Sequence, residues 1–461
     1  MNLENLPAPE PDGSSDGPWP SSARRVGGEI AIGGIGVSEL AAEYGTPLYI
    51  LDEDVLRTRA RAWKEAMDEA FARLRGADVY YAGKAFLCVA VAKAVAHEGL
   101  AVDACSEGEL RTALAAGVPG SRIGMHGNNK SREEVELALR AEVGHFVVDS
   151  LAELEFVDSI ARDEGAVASV MLRVTTGVHA GGHEYMSTAV EDQKFGLSIA
   201  GGAAWQAVEK TVNAPNLRLV GLHSHIGSQI LVVEAFEEAA RAVLDLRARV
   251  HREIGLELHE VDFGGGYGIR YTGGDSVPPS PAQLAKALAS VVASHSAESG
   301  IEPPRVSIEP GRNIVGPAGV TLYTVGTVKT VELEDGPRRY VSVDGGMSDN
   351  IRPALYDAAY TAALASRNGE GGVRSRVVGK HCESGDIVVR DVSLPEDLAA
   401  GDILAVPATG AYGRSMASNY NHLPRPGVVA VRGGASRWIV RRETVEDLLA
   451  LDAGYLRRDA D

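Results

Sequence analysis

The sequence is poor in cysteine, in aromatic side chains and in basic charge. Its 461 residues include 3 cysteines and 5% aromatic residues, and 45 Lys plus Arg stand against 63 Asp plus Glu. Three cysteines without a CxxC spacing exclude a disulfide framework and a zinc knuckle. The formal net charge of −18 argues against nucleic acid or an anionic membrane surface as the main partner. We therefore expect a protein of the reducing cytoplasm.

Long apolar runs are lacking as well. The sequence holds no stretch of 18 or more apolar residues, and its N-terminus has neither the basic nor the apolar region of a signal peptide. We therefore expect no membrane association and no export. Residues 1–26 are rich in Pro, Ser, Gly and Asp, which favours a disordered tail.

The segment 46–318 alternates short β-branched or apolar runs with longer stretches of helical period. This alternation is typical of βα units and a parallel sheet. After a lead-in strand at 47–51, eight runs fit barrel strands, the number that closes a (β/α)8 TIM-type barrel. The eight strands are expected at 78–83, 100–104, 122–125, 145–148, 168–174, 219–223, 259–263 and 305–309.

Beyond residue 318 the pattern changes. The segments there are short, rich in β-formers and separated by turn residues, without helices long enough for crossovers. They predict an antiparallel, Greek-key-like β domain made of residues 27–45 and 319–461. The expected fold class is therefore α/β, a TIM-type barrel with a second, antiparallel β domain at the C-terminus.

Lys84 ends the apolar run DVYYAGK at the C-terminal end of the first barrel strand, where the chemistry of this fold takes place. A desolvated lysine is nucleophilic toward carbonyls, as a Schiff base requires. The alternative is a lysine that merely extends its amine from a strand end into water.

The glycines Gly264, Gly265 and Gly266 follow the seventh strand. Successive backbone N–H groups without side chains form a nest suited to a phosphate, and barrels frequently bind phosphate in the loops after strands 7 and 8. The run lacks the spacing of a dinucleotide fingerprint. An ordinary Gly-rich turn is the alternative.

Glu309 and Arg312 follow the eighth strand in the motif EPGR. A carboxylate at a barrel mouth could keep the pyridine nitrogen of pyridoxal 5'-phosphate (PLP) protonated, which makes the ring an electron sink. A structural Glu–Arg pair is the alternative. Lysine, glycine nest and carboxylate together favour PLP.

His223 and His225 stand at i and i+2, so on a strand they would face the same side. Such a pair could bind a metal, but no further ligands with a recognisable spacing accompany it, and we expect no metal. The other interpretation is a histidine packed flat on an aromatic cofactor, with Ser228 nearby to bond its phosphate.

Nine motifs in order along the chain resemble those of the diaminopimelate decarboxylases, fold-type III PLP enzymes related to ornithine and arginine decarboxylases. The motifs are YYAGKAF, DACSEGEL, HEYMSTAVEDQKFG, HSHIGSQ, VDFGGGYG, EPGRNIVGP, VDGGMSDNIRPALY, GKHCESGDI and GAYGRSMASNYN. The resemblance implies a PLP barrel with a β domain, working as a homodimer that decarboxylates meso-2,6-diaminopimelate to L-lysine and CO2, the last step of lysine biosynthesis.

The same resemblance implies a role for individual residues. Lys84 would bind PLP covalently, and Cys382 would donate a proton from the partner subunit, so that the active site is shared. The cofactor-binding residues it implies are Lys84, His225, Ser228, Gly264, Gly265, Gly266, Glu309, Gly311, Arg312 and Tyr412. The substrate-binding residues it implies are Arg312, Arg352, Tyr356, Glu383 and Tyr412. Cys88 and Cys105 are expected in the core.

Two motifs differ at single positions from the family's usual forms. These are VDGGMSDN and RVTTGVHAGGHEY, and the roles of Ser348 and of the loop 175–184 stay open. The distal end of diaminopimelate carries an ammonium and a carboxylate, which an acid and an arginine would bind. Glu383 with Arg352 therefore favours diaminopimelate.

Three other functions stay open. They are the decarboxylation of another basic amino acid or of a carboxylated polyamine, non-catalytic PLP binding by a regulator, and racemisation. Racemases of this plan place an arginine on the pyridine nitrogen, so Glu309 argues against that activity. A regulator would have lost Lys84 or Cys382, and both are present.

Overall fold

A computed structural model describes residues 10, 11, 13, 14, 16–178, 194–334 and 336–456. The chain divides into two compact units. The barrel unit comprises residues 57–268 and 278–314. The β unit comprises the described residues up to Leu56, the segment Ile269–Val277 and the described residues from Val315 onward. Within these described ranges, no helix is long and apolar enough to cross a membrane.

The N-terminal segment folds into the β unit. Its elements are β1 (Arg24–Val26), β2 (Glu29–Ile32), β3 (Ile35–Gly36), α1 (Val37–Tyr44) and β4 (Leu48–Asp52). The helix α2 (Glu53–Ala70) follows, and its residues from Arg57 onward belong to the barrel unit. Strands β1 to β3 form a small antiparallel sheet. Trp19 and Ala23 are 2% and 0% exposed and belong to the core of this unit. The expectation of a tail through residue 26 is therefore wrong from Trp19 onward, because this indole buries a large apolar surface.

Eight parallel strands close a barrel in the barrel unit, as the sequence predicts. They are β5 (Ala77–Ala82), β6 (Ala101–Ala104), β7 (Ile123–Met125), β8 (His145–Val148), β9 (Ala168–Thr175), β11 (Leu217–His223), β12 (Glu260–Asp262) and β13 (Arg305–Ile308), with the two-residue strand β10 (Leu197–Ser198) beside β9. The pairing of β8 with β9 closes the ring. All functional groups that follow these strands therefore gather at one rim.

Helices connect the barrel strands. They are α3 (Val89–His97), α4 (Glu107–Ala115), α5 (Arg132–Arg140), α6 (Leu151–Asp163), α7 (Ala203–Asn213), α8 (Val233–Ile254), α9 (Pro281–Ser299) and the short α10 (Arg312–Val315). Ser106 and Ser131 cap α4 and α5 by accepting the N–H of Glu109 and Glu134. Serine followed by an acidic first turn satisfies the free N–H groups of a helix start.

The β unit is built on a mixed sheet. Its later elements are β14 (Gly319–Val331), β15 (Arg338–Val343), α11 (Arg352–Tyr356), β16 (Ala363–Leu364), β17 (Val373–Val378), β18 (Ile387–Leu394), β19 (Ile403–Pro407), β20 (Val428–Arg432), β21 (Ala435–Val440), α12 (Val445–Leu449) and α13 (Ala453–Leu456). Most pairings are antiparallel, but β15 pairs with β17 and β20 with β4 in parallel. The expected purely antiparallel domain is thus corrected to a mixed one.

Strand β4 belongs to this mixed sheet. It lies between β14 and β20, and all five of its residues are buried. The expected barrel segment beginning at residue 46 therefore starts too early, since the barrel unit begins at Arg57. A short strand that is apolar on both faces fits the centre of either sheet, and its sequence does not distinguish the two.

Candidate functional site: a cofactor pocket at the barrel mouth

Lys84 stands at the rim of the barrel. It lies two residues beyond β5 in the single helical turn Gly83–Ala85, and its side chain is exposed while Gly83 and Ala85 are buried. Its positive charge lowers the pKa of His225, although burial is the larger cause. The amine therefore stands at the mouth, within electrostatic reach of the imidazole of His225, which lies two residues beyond β11 (Leu217–His223).

The glycine run after β12 packs tightly against its neighbours. A Cβ added to Gly265 would stand 2.3 Å from the carbonyl oxygen of Glu309, and one added to Gly266 would stand 2.3 Å from that of Gly227. Gly264 and Gly266 have φ angles of +68° and +104°, which side chains disfavour. Larger residues would push these strand ends apart.

Two glycine N–H groups of this run bond side chains. The Gly264 N–H donates to Asp262 Oδ1 at 2.7 Å, and the Gly265 N–H donates to His225 Nδ1 at 3.1 Å. The expectation that all three N–H groups form a nest for phosphate is therefore wrong for Gly264 and Gly265, because nearby side chains accept their protons. The second bond instead fixes the His225 ring with Nδ1 as acceptor, so that its proton lies on Nε2.

Glu309 is a deeply buried carboxyl at this rim. Its side chain is 6% exposed, and Oε1 lies 2.8 Å from His223 Nε2 and 3.4 Å from His126 Nε2. Burial raises the pKa of the Glu309 carboxyl, but the two imidazoles lower it further, and its pKa lies well below the ordinary value. Glu309 is therefore an ionised carboxylate inside the barrel mouth.

Two further buried carboxyls adjoin Glu309, and their pKa values are raised, whereas that of Glu309 is lowered. Burial, and then the charge of Glu309, raise the pKa of Asp103 well above its ordinary value and that of Asp262 to about 7. Sequence reasoning missed Asp262, although an acid at the last position of an apolar strand is an available signal. The cluster thus concentrates negative charge on Glu309 and keeps Asp103 neutral.

Arg312 and Ser228 form a polar pair at the same rim. The Arg312 Nη2 donates to Ser228 Oγ at 2.6 Å, and the Arg312 side chain is buried. Gly311 lets this segment approach β5, since an added Cβ would stand 2.9 Å from the Cβ of Ala82. A guanidinium and a hydroxyl held together can bind an anionic oxygen.

The other predicted residues lie in the β unit. The Arg352 guanidinium stands 4.7 Å from the centre of the Tyr271 ring and donates to the Tyr360 hydroxyl at 2.5 Å. Tyr356 ends α11 and is half-buried. Tyr412 is half-buried with φ of +60°, a backbone strain that functional residues often carry.

Cys382 and Glu383 lie on an exposed loop of the β unit. The buried Asp386 fixes this loop: its Oδ2 accepts the His381 N–H at 2.8 Å and lies 2.9 Å from His381 Nδ1, and its Oδ1 accepts the Met347 N–H at 2.6 Å. Asp386, which sequence reasoning missed, thereby ties the Cys382 loop to the motif VDGGMSDN.

Sequence-based expectations also concern two cysteines, Ser348 and the loop 175–184. Cys105 is exposed and Cys88 half-buried at the start of α3, so the expectation that both lie in the core is wrong. Ser348 is buried and its hydroxyl donates to Asp349 Oδ1 at 3.3 Å. Residues 179–184 of the loop 175–184, and residues 183–193 of the motif HEYMSTAVEDQKFG, lie outside the described residues.

The groups at the barrel mouth fit PLP. An amine for its aldehyde, an ionised carboxylate for its ring nitrogen and an imidazole of fixed tautomer all stand at one rim, on Lys84, Glu309 and His225. The glycine segment places no side chains at this rim, and the Arg312–Ser228 pair suits the phosphate of PLP. No other part of the described chain combines these groups.

Comparison with known proteins agrees with this assignment. Residues 53–316 match the family model of the pyridoxal-dependent decarboxylases, pyridoxal binding domain. Diaminopimelate decarboxylase of Mycobacterium tuberculosis (strain H37Rv) is 52% identical over 441 residues, 94% of this chain and 97% of the relative. That of Bacillus subtilis is 44% identical over 436 residues, 94% and 98% of the two chains.

Solved structures agree as well. The crystal structure of diaminopimelate decarboxylase from M. jannaschii in complex with L-lysine has a TM-score of 0.87 and 33% identity, covering 94% of this chain and 98% of that one. Lysine/ornithine decarboxylase from Vibrio vulnificus has a TM-score of 0.71 and 25% identity, covering 86% and 97%. The chain therefore belongs to the diaminopimelate decarboxylase family of pyridoxal-dependent decarboxylases.

Proposed function

We propose that this chain decarboxylates meso-2,6-diaminopimelate to L-lysine and CO2 with PLP as its cofactor. The observation that carries the proposal is the buried, ionised Glu309 at the same rim as Lys84, in a chain so similar to diaminopimelate decarboxylases. When bound, PLP supplies an electron sink for the carbanion that remains after CO2 leaves. Glu309 serves that chemistry by holding a proton on the ring nitrogen.

The barrel residues bind and orient the cofactor. Lys84 Nζ would hold the cofactor by its aldehyde carbon until a substrate amine takes its place, and His225 would support the pyridine ring. Arg312 and Ser228, with the N–H of Gly266, bind the phosphate. Gly264 and Gly265 contribute through their place in the chain. The Gly265 N–H orients His225, and the absence of side chains on both glycines lets the ends of the barrel strands pack closely against one another.

The β-unit residues recognise the substrate. Its distal carbon carries both an ammonium and a carboxylate, so recognition requires groups of both charges. Glu383 pairs with the ammonium and Arg352 with a carboxylate, while Tyr356 and Tyr412 border the substrate and Tyr412 also contacts the cofactor. Arg312 contributes a second cation at the barrel rim. An enzyme for ornithine, whose distal end is a lone amine, has no need of the second pairing.

Cys382 supplies the last proton. Its Sγ–H donates to the carbon that has lost CO2, and the thiolate regains a proton from solvent. The exposed position of the thiol within one chain supports supply to a partner subunit. We thus propose a homodimer whose active site is shared, and a cytoplasmic location, since a free catalytic thiol requires a reducing compartment.

A product assay over a panel of amino acids tests the activity. We expect release of CO2 and L-lysine from meso-diaminopimelate, with little turnover of ornithine, arginine or carboxylated polyamines. A much faster reaction with one of these would overturn the substrate assignment. No turnover of any of them, with PLP bound, would indicate a regulator instead.

Subunit mixing tests the shared site. Lys84→Ala and Cys382→Ala homodimers are each expected to be inactive or nearly so. After exchange, heterodimers contain one site with both residues intact, so up to half of the wild-type activity per heterodimer should return. Exchange proven by mass spectrometry without recovery would contradict the shared site and leave the substrate assignment untouched.

A further inference from the structure

The imidazole of His223 lies against the carboxylate of Glu309. His223 is the last residue of β11, and its side chain is 1% exposed. Its Nε2 stands 2.8 Å from Glu309 Oε1, whereas its Nδ1 has no hydrogen-bond partner among the described residues. A proton on Nδ1 would be buried without an acceptor, so we assign the proton to Nε2. His223 then donates its Nε2–H to the carboxylate.

A second imidazole supports the first. The ring of His126 meets that of His223 edge to face, with centroids 5.3 Å apart. Its Nε2 lies 3.4 Å from Glu309 Oε1 and 3.3 Å from Asp103 Oδ1, so it stands between the two acids. The backbone of Glu309 is fixed as well, because its N–H donates to the Gly264 carbonyl at 2.9 Å. His223 is thus the imidazole that is hydrogen-bonded to this carboxylate, and His126 adjoins it without a hydrogen bond among the described residues.

These three side chains also raise the question of a metal. The ligand atoms of His126, His223 and Glu309 lie within 4.8 Å of one another. Two ligands of one tetrahedral zinc at about 2.0–2.1 Å from the ion stand roughly 3.3 Å apart. The 2.8 Å between His223 Nε2 and Glu309 Oε1 fits a hydrogen bond to a carboxylate instead.

We propose that His223 is a positioning residue, whose Nε2–H keeps the Glu309 carboxylate ionised and directed at the cofactor's ring nitrogen. The proposal rests on the role of Glu309 proposed above and adds the residue that sustains it. A carboxylate at this depth without a donor would take up a proton itself, since burial favours the neutral form. Glu309 would then no longer hold the proton on the ring nitrogen.

The protonation state of the PLP ring nitrogen tests the proposal. The protein is reconstituted with PLP carrying 15N in the ring, and the 15N NMR shift distinguishes a protonated from an unprotonated nitrogen. In the wild type we expect the 15N chemical shift of a protonated ring nitrogen throughout the neutral pH range. In His223→Leu we expect a shift toward the unprotonated form, and a kcat lower by about 10- to 100-fold with little change in KM, the effect of losing one hydrogen bond to a charged group.

Two amide variants keep the test decisive if the leucine variant does not fold. The terminal N–H group of a glutamine can reach the position of the imidazole Nε2, whereas an asparagine is too short. His223→Gln should therefore retain most of the wild-type shift and His223→Asn should lose it. Equal shifts in the two variants would overturn the proposal. His145→Leu is the matched control, since it removes another buried imidazole of the barrel, whose Nε2 has no hydrogen-bond partner among the described residues, and it should leave the shift unchanged.

Glu309→Gln separates this inference from the function on which it rests. If this variant keeps the protonated shift, Glu309 does not hold the ring nitrogen and its proposed role is wrong. If Glu309→Gln changes the shift while His223→Leu does not, only the positioning role of His223 is wrong.

Discussion

The cofactor pocket of the barrel unit and the Cys382 loop of the β unit are built in opposite ways. Glu309 is 6% exposed and contacted by imidazoles of two other strands, whereas Cys382 and Glu383 lie at the surface of their unit. Many buried groups fix the first region. The second depends largely on one buried carboxylate, Asp386, which bonds the residues around it.

This difference suits the role proposed above for each region. A group that keeps a ring nitrogen protonated must stay in one low-dielectric place through every cycle. A proton donor and a distal-end recognition group must meet a substrate that enters and leaves. Exposed reactive groups on one chain are also what a site completed by a second chain requires.

The largest effect is expected in the barrel. Lys84→Ala should abolish decarboxylation, because no other amine described at the rim can form and release the bond to the cofactor. Absorbance spectra of the purified protein should lose the visible band of the lysine-linked cofactor. Lys93→Ala, which removes an exposed lysine of helix α3, should leave activity and spectrum as in the wild type. Substantial turnover by Lys84→Ala would show that the pocket is assigned wrongly.

The second largest effect is expected for Cys382→Ala. Loss of a general acid lowers kcat by about 10²- to 10⁴-fold while substrate still binds. The cofactor spectrum should remain that of the wild type, because this residue belongs to the β unit. Steady-state kinetics with meso-diaminopimelate measures the loss, with Cys88→Ala as the control for removal of a thiol. A wild-type kcat for Cys382→Ala would show that this thiol does not donate the proton.

Asp386→Asn should have a smaller effect on the same loop. An amide cannot accept both the His381 and the Met347 N–H groups as the carboxylate does, so the loop that carries Cys382 should lose its fixed position. Misplacement by about 1 Å can lower a rate up to 100-fold, and we expect about tenfold in kcat. Asp391→Asn on β18 is the control. Equal kcat values would show that the loop does not depend on Asp386.

The smallest effect concerns stability and pH. Burial raises the pKa of Asp349 to about 7, although the Gly346 N–H lowers it. The unfolded chain ionises near pH 4 while the folded chain keeps the proton, so this acid destabilises the fold increasingly up to pH 7 and by a nearly constant amount above it.

Removing the acid should remove that pH dependence. The unfolding free energy of Asp349→Asn should therefore rise relative to the wild type by about 1 kcal/mol per pH unit between pH 5 and 7, and by only about 0.4 kcal/mol more by pH 8. Denaturant titrations at the three pH values measure the difference. The exposed Asp357→Asn should show no such slope, and a flat difference for Asp349→Asn would contradict the raised pKa.

The two regions also differ in how far the sequence predicts them. The eight barrel strands lie where their apolar runs place them, within two residues, because runs followed by capped helices are a local signal. Lys84 lies at the rim for the same reason. The contact of His223 with Glu309 joins residues far apart in the chain, and no local pattern marks it.

The other differences between the sequence-based expectations and the structure also depend on contacts between residues far apart in the chain. Only the folded chain brings His225 to the Gly265 N–H, which a glycine run alone would leave for phosphate. Trp19 lies in a stretch whose composition is that of a tail, yet one indole in a core outweighs its polar neighbours. Strand β4 has a sequence suited to the centre of either sheet, so tertiary pairing decides its place.

The position of β4 has a consequence for synthesis of the chain. Its neighbours β14 and β20 begin at Gly319 and Val428, so the ribosome must complete the whole barrel unit before either exists. At about 5–20 residues per second this delay is on the order of tens of seconds. During that time Leu48, Ile50 and Trp19 lack the strands that bury them, so the nascent chain exposes apolar side chains that the finished fold conceals.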